Sequence, residues 1–319
     1  MINGVLLDQA ALGDDINISC LSQLFSQWQT HQLTHVDEVV ARCQNVHVII
    51  TNKVQLNAQA LRALPSLKVI AVAATGVNNI DLACAKELGI QVVNVKGYGN
   101  SAVAQHAFNL ILQLAGRSTQ YHQFINQGKW QKSPFFSNLD FPLMELDGKT
   151  LGIIGNGGLG QATAKVGLAF GMSVLVGERK GESNIREGRV SFETLLSESD
   201  VVSLHCPLTE NNHQLIDSAA LSLMKPSALL INTARGPLID EVALVNALKT
   251  QQIGGAGLDV LSQEPPVDGN VLLDYQVSCQ KNGEIDNLII TPHLAWAAVE
   301  ARQRLVEMLA ANISKALTL

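Results

Sequence analysis

Apolar and polar positions along this chain alternate in short blocks. Runs rich in β-branched residues recur at GVLLD (4–8), VHVIIT (46–51), LKVIAVAAT (67–75) and IQVVNV (90–95), separated by stretches with helical spacing. This alternation predicts βα units and therefore a parallel sheet. Stretches such as VIAVAA are apolar on both faces, as strands covered by helices on each side must be. The first 95 residues thus predict a small α/β domain. A long apolar helix is expected over Ser101–Arg117, followed by an aromatic, proline-bearing arm, GKWQKSPFFSNLDFPL, that needs something else to pack on.

From Lys149 a second alternation starts: TLGIIG, SVLVGE, DVVSLHCP, ALLINTA, GGAGLDV and NLIITPH. Six strand candidates with helices between them match the doubly wound plan of a nucleotide domain. A final helix over about Ala297–Ala316 follows without a linker, and its pattern alone leaves open which domain it joins.

Composition changes this picture little. A chain of 319 residues accommodates two domains, with a cleft to be expected between them, and 47% hydrophobic against 16% charged residues describes a globular protein. A net charge of -6 without any Lys/Arg run argues against nucleic acid or an anionic membrane as partner. No run of about 18 apolar residues and no basic leader occurs, so a cytoplasmic protein is expected. The five cysteines show no CxxC or Cys/His ligand spacing and the histidines no HExxH, so no metal is expected.

Candidate chemistry begins at Gly155, Gly157 and Gly160, a GxGxxG set between a strand and a helix. That context predicts a dinucleotide whose pyrophosphate rests on the helix N-terminus. Leu159 within this turn is a further cofactor candidate. Glu178 ends the next strand, where a carboxylate accepts the ribose hydroxyls and repels a 2′-phosphate; NAD over NADP is expected, with Arg179 and Lys180 as the counterweight.

Arg235, Glu264 and His293 each fall where a strand of the second alternation ends. A guanidinium there can fork onto a carboxylate or polarise a carbonyl, though a surface pairing with Asp240 or Glu241 is the plainer alternative. A carboxylate beside an imidazole fixes its tautomer and favours its protonated form, which makes a general acid. Linear spacing does not prove that these side chains meet. His31, His35, His47, His106, His122, His205 and His213 are read as structural or solvent-facing.

Seven motifs in order, ATGVNNIDL, NVKGYGNSAVAQH, LGIIGNGGLGQA, HCPLTENN, INTARGPLIDEVAL, GAGLDVLSQEPP and TPHLAWAAVEARQR, resemble the D-isomer-specific 2-hydroxyacid dehydrogenase family over essentially the whole chain. Within it, VAQH, GERK and HLAWA are most similar to the bacterial glycerate dehydrogenases, also called hydroxypyruvate reductases. The resemblance implies a Rossmann doubly wound sheet (100–292) inserted into a smaller flavodoxin-like α/β substrate domain made of 1–99 and a returning segment, 293–319. It implies NAD(H) as cofactor, reduction of a small 2-keto acid such as hydroxypyruvate or glyoxylate, and a homodimer joined through the nucleotide domains. Arg235 would hold the substrate carboxylate and keto oxygen, Glu264 would pair with the imidazole, and His293 would donate the proton. Backbone amides of Gly76 and Val77 would bind the carboxylate. Asp259 and the carbonyl of Thr233 would orient the nicotinamide carboxamide, Ala234 would be a further cofactor contact, and Cys206 and Pro207 would flank the adenine side. Trp296 stands where many relatives carry Ser, either shaping the pocket or packing. A phosphoglycerate or other D-2-hydroxyacid dehydrogenase and, more distantly, a non-catalytic NAD(H)-sensing protein are the alternatives.

Overall fold

The computed structural model describes residues 2–282 and 287–318. It divides into two units, Met1–Gly99 with Trp296–Leu319, and Asn100–Ala295.

The first unit holds five parallel strands, β1 (Asn3–Leu6), β2 (Gln27–Thr30), β3 (Val48–Thr51), β4 (Val69–Val72) and β5 (Gln91–Asn94), in the order β2-β1-β3-β4-β5. This is the flavodoxin-like order. VIIT of β3 and VIAV of β4 are buried at every position, as the doubly covered centre of such a sheet requires. Asn57 and Asp81 cap the helices that follow β3 and β4, accepting from Ala60 N and Cys84 N. The terminal helix Val299–Leu317 buries Ala301, Leu305, Val306, Leu309 and Ile313, and its Asn312 Nδ2 donates to Asn94 O at the end of β5 at 2.8 Å. Trp296 lies edge-on to Tyr98 (6.5 Å between ring centroids), with Lys53 Nζ 5.8 Å above its ring.

The second unit carries β6 (Thr150–Ile154), β7 (Ser173–Val176), β8 (Val201–Leu204), β9 (Leu229–Asn232), β10 (Gly255–Leu258) and β11 (Leu288–Ile290). All pair in parallel, in the order β11-β10-β9-β8-β6-β7. A single bridge, Gly177 to Val190, extends the sheet beyond β7. The strand order reverses between β6 and β8, and in an open α/β sheet a ligand crevice forms at the carboxyl ends of such a pair. The long helix Asn100–Ala115 lies on this sheet, where a side chain at Gly257 would come within 2.9 Å of Leu110 Cβ. Glycine at that strand position is what lets the helix approach.

The second unit runs to Ala295, past the boundary at 292/293 read from the sequence. His293 N donates to Asp259 O (2.8 Å), Leu294 N to Asp259 Oδ1 (2.9 Å) and Ala295 N to Asp259 Oδ2 (2.8 Å), which ties these residues to the end of β10. No helix among the described residues is long and apolar enough to cross a membrane.

Candidate active site

The glycine turn follows β6 at the switch point. Gly155 has φ +103°, and a Cβ there would stand 2.5 Å from Cys206 N in the segment leaving β8. A Cβ on Gly160 would collide with the Gly155 carbonyl, so that glycine seats the helix Gly158–Ala169 on its own turn. Gly157, by contrast, has nothing among the described residues within 4 Å of where its Cβ would be. Two glycines are demanded by packing and the middle one faces open space, a division that suits backbone close to a pyrophosphate at a helix N-terminus.

This turn borders a cleft of about 650 Å³ lined by Gly155, Asn156, Gly157, Glu178, Arg179, Cys206 and Pro207, among others. Leu159, Thr233, Ala234 and Asp259, the remaining cofactor candidates, are not among its lining residues. Thr233 and Ala234 lie just past β9 and Asp259 just past β10, all buried. Burial pushes the Cys206 thiol up, so it stays protonated at neutral pH.

His205, beside it, is pushed down to about 4 by burial, with Nε2 2.9 Å from Ser203 Oγ. The folded protein thus keeps this ring neutral, whereas the unfolded chain takes up a proton below about 6.5. Between those values the unfolded state binds more protons, so stability rises with pH, and up to about 3 kcal/mol from this group is lost as the pH is lowered from about 6.5 to about 4. Urea unfolding across pH 4 to 7 is expected to show this slope, and His205→Gln to flatten it.

Glu178 is 2% exposed at the mouth of β7. The chain turns after it and returns along the sheet edge, where Glu178 N donates to Val190 O at 2.8 Å. That return lays Arg186 on the carboxylate: Nε donates to Oε2 at 2.6 Å and Nη2 to Oε1. Arg189 Nη1 is 3.7 Å away, and Arg179 N donates to Oε1 at 3.0 Å. The Arg186 pairing, ahead of the opposing burial, holds the Glu178 carboxyl down to about 2.

The three chemistry-bearing residues sit at the ends of β9, β10 and β11. His293 Nδ1 lies 2.8 Å from Glu264 Oε2, and Glu264 Oε1 accepts from Leu261 N at 3.0 Å. An ionised carboxylate only accepts, so Nδ1 carries a proton toward Glu264 and Nε2 is the nitrogen left for acid–base work. The pairing expected of these two is therefore present in the geometry. Arg235 Nη1 donates to the carbonyl of Ala234 at 2.7 Å. The next residue, Gly236, packs so tightly on the Leu261 backbone that a Cβ would overlap its carbonyl. Gly236 thus locks the arginine segment against the segment that fixes Glu264, a role the sequence reading missed. Gly236→Ala is expected to lower both the melting temperature and turnover, the latter by about tenfold, because backbone cannot yield as a side chain does. Thermal unfolding and steady-state rates check this.

His293 has φ +55°, the left-handed region. What holds it there is Asp259, 1% exposed, which receives the Leu294 and Ala295 amides and the Thr291 hydroxyl (2.6 Å). Burial drives the Asp259 carboxyl up, but hydrogen bonds from His106, Thr291, Ala295 and Leu294 more than reverse this and leave it below its ordinary value. His106 Nε2 is 2.9 Å from Thr291 Oγ1 and 3.4 Å from Asp259 Oδ1. The threonine has one proton and spends it on Asp259, so His106 Nε2 must be a donor. This histidine, read from the sequence as structural or solvent-facing, braces the loop that carries His293.

In the first unit, Gly76 and Val77 lie in the loop after β4, fastened by Thr75 Oγ1 to Val95 O (2.9 Å) and Asn79 Nδ2 to Val54 O (3.0 Å). Among the described residues no group of three or more His, Cys, Asp or Glu could hold a metal ion. Thr233 Oγ1 and His205 Nδ1 are buried and have no hydrogen-bond partner among the described residues. Together with the glycine cradle and the cleft, these atoms fit a bound dinucleotide.

Residues 108–295 match the family model described as D-isomer specific 2-hydroxyacid dehydrogenase, NAD binding domain. The chain is 45% identical to a glycerate dehydrogenase of Methylorubrum extorquens over 87% of its length and 84% of the relative's. It is 37% identical to a hydroxypyruvate reductase of Blautia hydrogenotrophica, covering 89% and 86% of the two chains. Among solved structures it is similar to D-lactate dehydrogenase from Aquifex aeolicus complexed with NAD and lactic acid, with TM-score 0.80, 29% identity and coverage of 99% and 95%.

Proposed function

Because the chain belongs to the D-isomer-specific 2-hydroxyacid dehydrogenase family and carries its NAD-binding domain, we propose that it reduces hydroxypyruvate or glyoxylate with NADH, giving D-glycerate or glycolate, and that His293 is the proton donor. The observation that carries this is the His293 Nδ1 to Glu264 Oε2 contact of 2.8 Å at the ends of the sheet that holds the glycine cradle.

A dinucleotide held in the cleft would supply the hydride that C2 of the keto acid takes up. Glu264 keeps the Nδ1 proton in place, so the imidazolium releases its Nε2 proton to the C2 oxygen and becomes the neutral Nδ1–H tautomer. Arg235 holds the substrate carboxylate and opposes charge growing on that oxygen, the electrostatic logic of an oxyanion hole. Gly76 and Val77 would add backbone donors to the carboxylate. Glu178 and Arg179 would serve the adenosine ribose, Cys206 and Pro207 the adenine, and Thr233, Ala234 and Asp259 the nicotinamide. Gly155, Gly157, Leu159 and Gly160 would hold the pyrophosphate.

We assign the protein to the cytoplasm and to a homodimer. The support for the dimer is the arm after the long helix, where Phe135, Phe136, Leu139 and Leu143 are 73, 92, 84 and 60% exposed. Four large apolar side chains this exposed within nine residues are costly to leave in water. Sedimentation of wild type and Phe136→Asp tests it: the wild type is expected as a dimer, and a monomer at micromolar concentration rejects the assignment.

Absorbance at 340 nm across hydroxypyruvate, glyoxylate, pyruvate, phosphohydroxypyruvate and bulkier 2-keto acids tests the substrate. Highest kcat/KM on hydroxypyruvate or glyoxylate is expected. Preference for phosphohydroxypyruvate would favour a phosphoglycerate dehydrogenase, and NADH binding with no turnover on any acid a sensor.

A further inference from the structure

The carboxylate that should exclude NADP is already occupied. A lone Glu178 would repel a 2′-phosphate, yet here both its oxygens are engaged by one guanidinium, through Arg186 Nε to Oε2 at 2.6 Å and Arg186 Nη2 to Oε1, with Arg189 3.7 Å off. The cleft lining around it includes Arg179, Lys180, Arg186 and Arg189 against Glu178 and Glu182. Lys180 is committed elsewhere, to Asp217 at 2.8 Å. Arg186 is different: its side chain is 53% exposed while its partner is 1% exposed, so the guanidinium forms a lid over the carboxylate with one face toward the cleft.

We propose that Arg186 turns the ribose end of this cleft into a site for the 2′-phosphate of NADP(H), so that the protein binds both the phosphorylated and the unphosphorylated dinucleotide. The chemistry follows from what each cofactor asks of Glu178. A ribose 2′-hydroxyl needs the carboxylate as acceptor and therefore competes with Arg186 for it. A 2′-phosphate needs cations and can be held by the Arg186 fork while the same residue still faces Glu178, cancelling the repulsion. One arginine thus acts against NADH and for NADPH, a determinant of cofactor choice that the strand-end glutamate alone would hide.

The inference rests on the dinucleotide reading of the cleft, and binding without substrate separates the two. Isothermal titration of purified wild type, Arg186→Ala and Arg186→Lys with NADH and NADPH gives the dissociation constants directly. In wild type the NADPH constant is expected within about thirtyfold of that for NADH. Loss of a charge-assisted contact in Arg186→Ala should then weaken NADPH by about tenfold to a hundredfold while NADH stays within about threefold or tightens. Arg186→Lys, which keeps charge and loses the fork, should fall between. Wild type that discriminates against NADPH more strongly, or an alanine variant that shifts both cofactors equally, overturns the role of Arg186 and leaves the NAD site standing. Binding of neither dinucleotide overturns the cleft assignment and this inference with it.

Discussion

His293→Asn is expected to lower turnover on the preferred 2-keto acid by about 10² to 10⁴-fold, the range for loss of a general acid, while NADH binding stays within about threefold. Asparagine is chosen over alanine because position 293 has φ +55°, a region asparagine enters more readily than other side chains without glycine's freedom. The variant therefore removes the proton donor and keeps the loop. Asp259 should still receive the amides of residues 294 and 295, since those contacts are made by backbone. With hydride and proton transfer sharing one transition state, kcat and kcat/KM should fall together and KM change little. A variant that keeps more than about a tenth of wild-type turnover removes His293 from the mechanism.

Arg235→Gln is expected to cost about 10² to 10³-fold in kcat/KM, as truncating one partner of a desolvated, hydrogen-bonded charge pair does. Glutamine preserves the stem and one donor, and the backbone bracket formed by Asn232 Nδ2 to Arg235 O (2.8 Å) does not involve the side chain. The fold should therefore survive, with a melting temperature close to wild type. Because the guanidinium is assigned both to the carboxylate and to the reacting oxygen, KM should rise and kcat fall. Partial recovery by added guanidinium ion would separate a missing charge from a displaced backbone. Unchanged kcat/KM would return Arg235 to the surface-arginine reading.

Much of this architecture was legible because its strands are buried on both faces and so read as apolar runs. β2 was missed for the opposite reason: QWQT is polar and largely exposed at a sheet edge, and pairing with β1 rather than burial defines it. The helix Ser118–Asn126 was likewise hidden behind the arm, its mixed sequence STQYHQFIN showing little beyond the buried Gln120 and Phe124. Glycine spacing located the cradle, but Arg186 gave no signal, since IREGR reads as an ordinary charged loop and only the return toward Val190 brings it onto Glu178. His106 sat within an apolar helical run and acquires meaning only through Thr291, far along the chain. Gly236 stands next to Arg235 in the sequence, but its close approach to the Leu261 backbone exists only in the fold.

The amide clamp on Asp259 has a consequence for hydrogen exchange. The N–H groups of His293, Leu294 and Ala295 all point into one buried aspartate, whereas Trp296, the next residue, belongs to the other compact unit. Deuterium uptake should therefore step across a single peptide bond, with residues 293–295 opening only when the end of β10 opens and residue 296 following the terminal helix. The segment that bears the proton donor would then report the local stability of the nucleotide unit, residue by residue, without any substrate present.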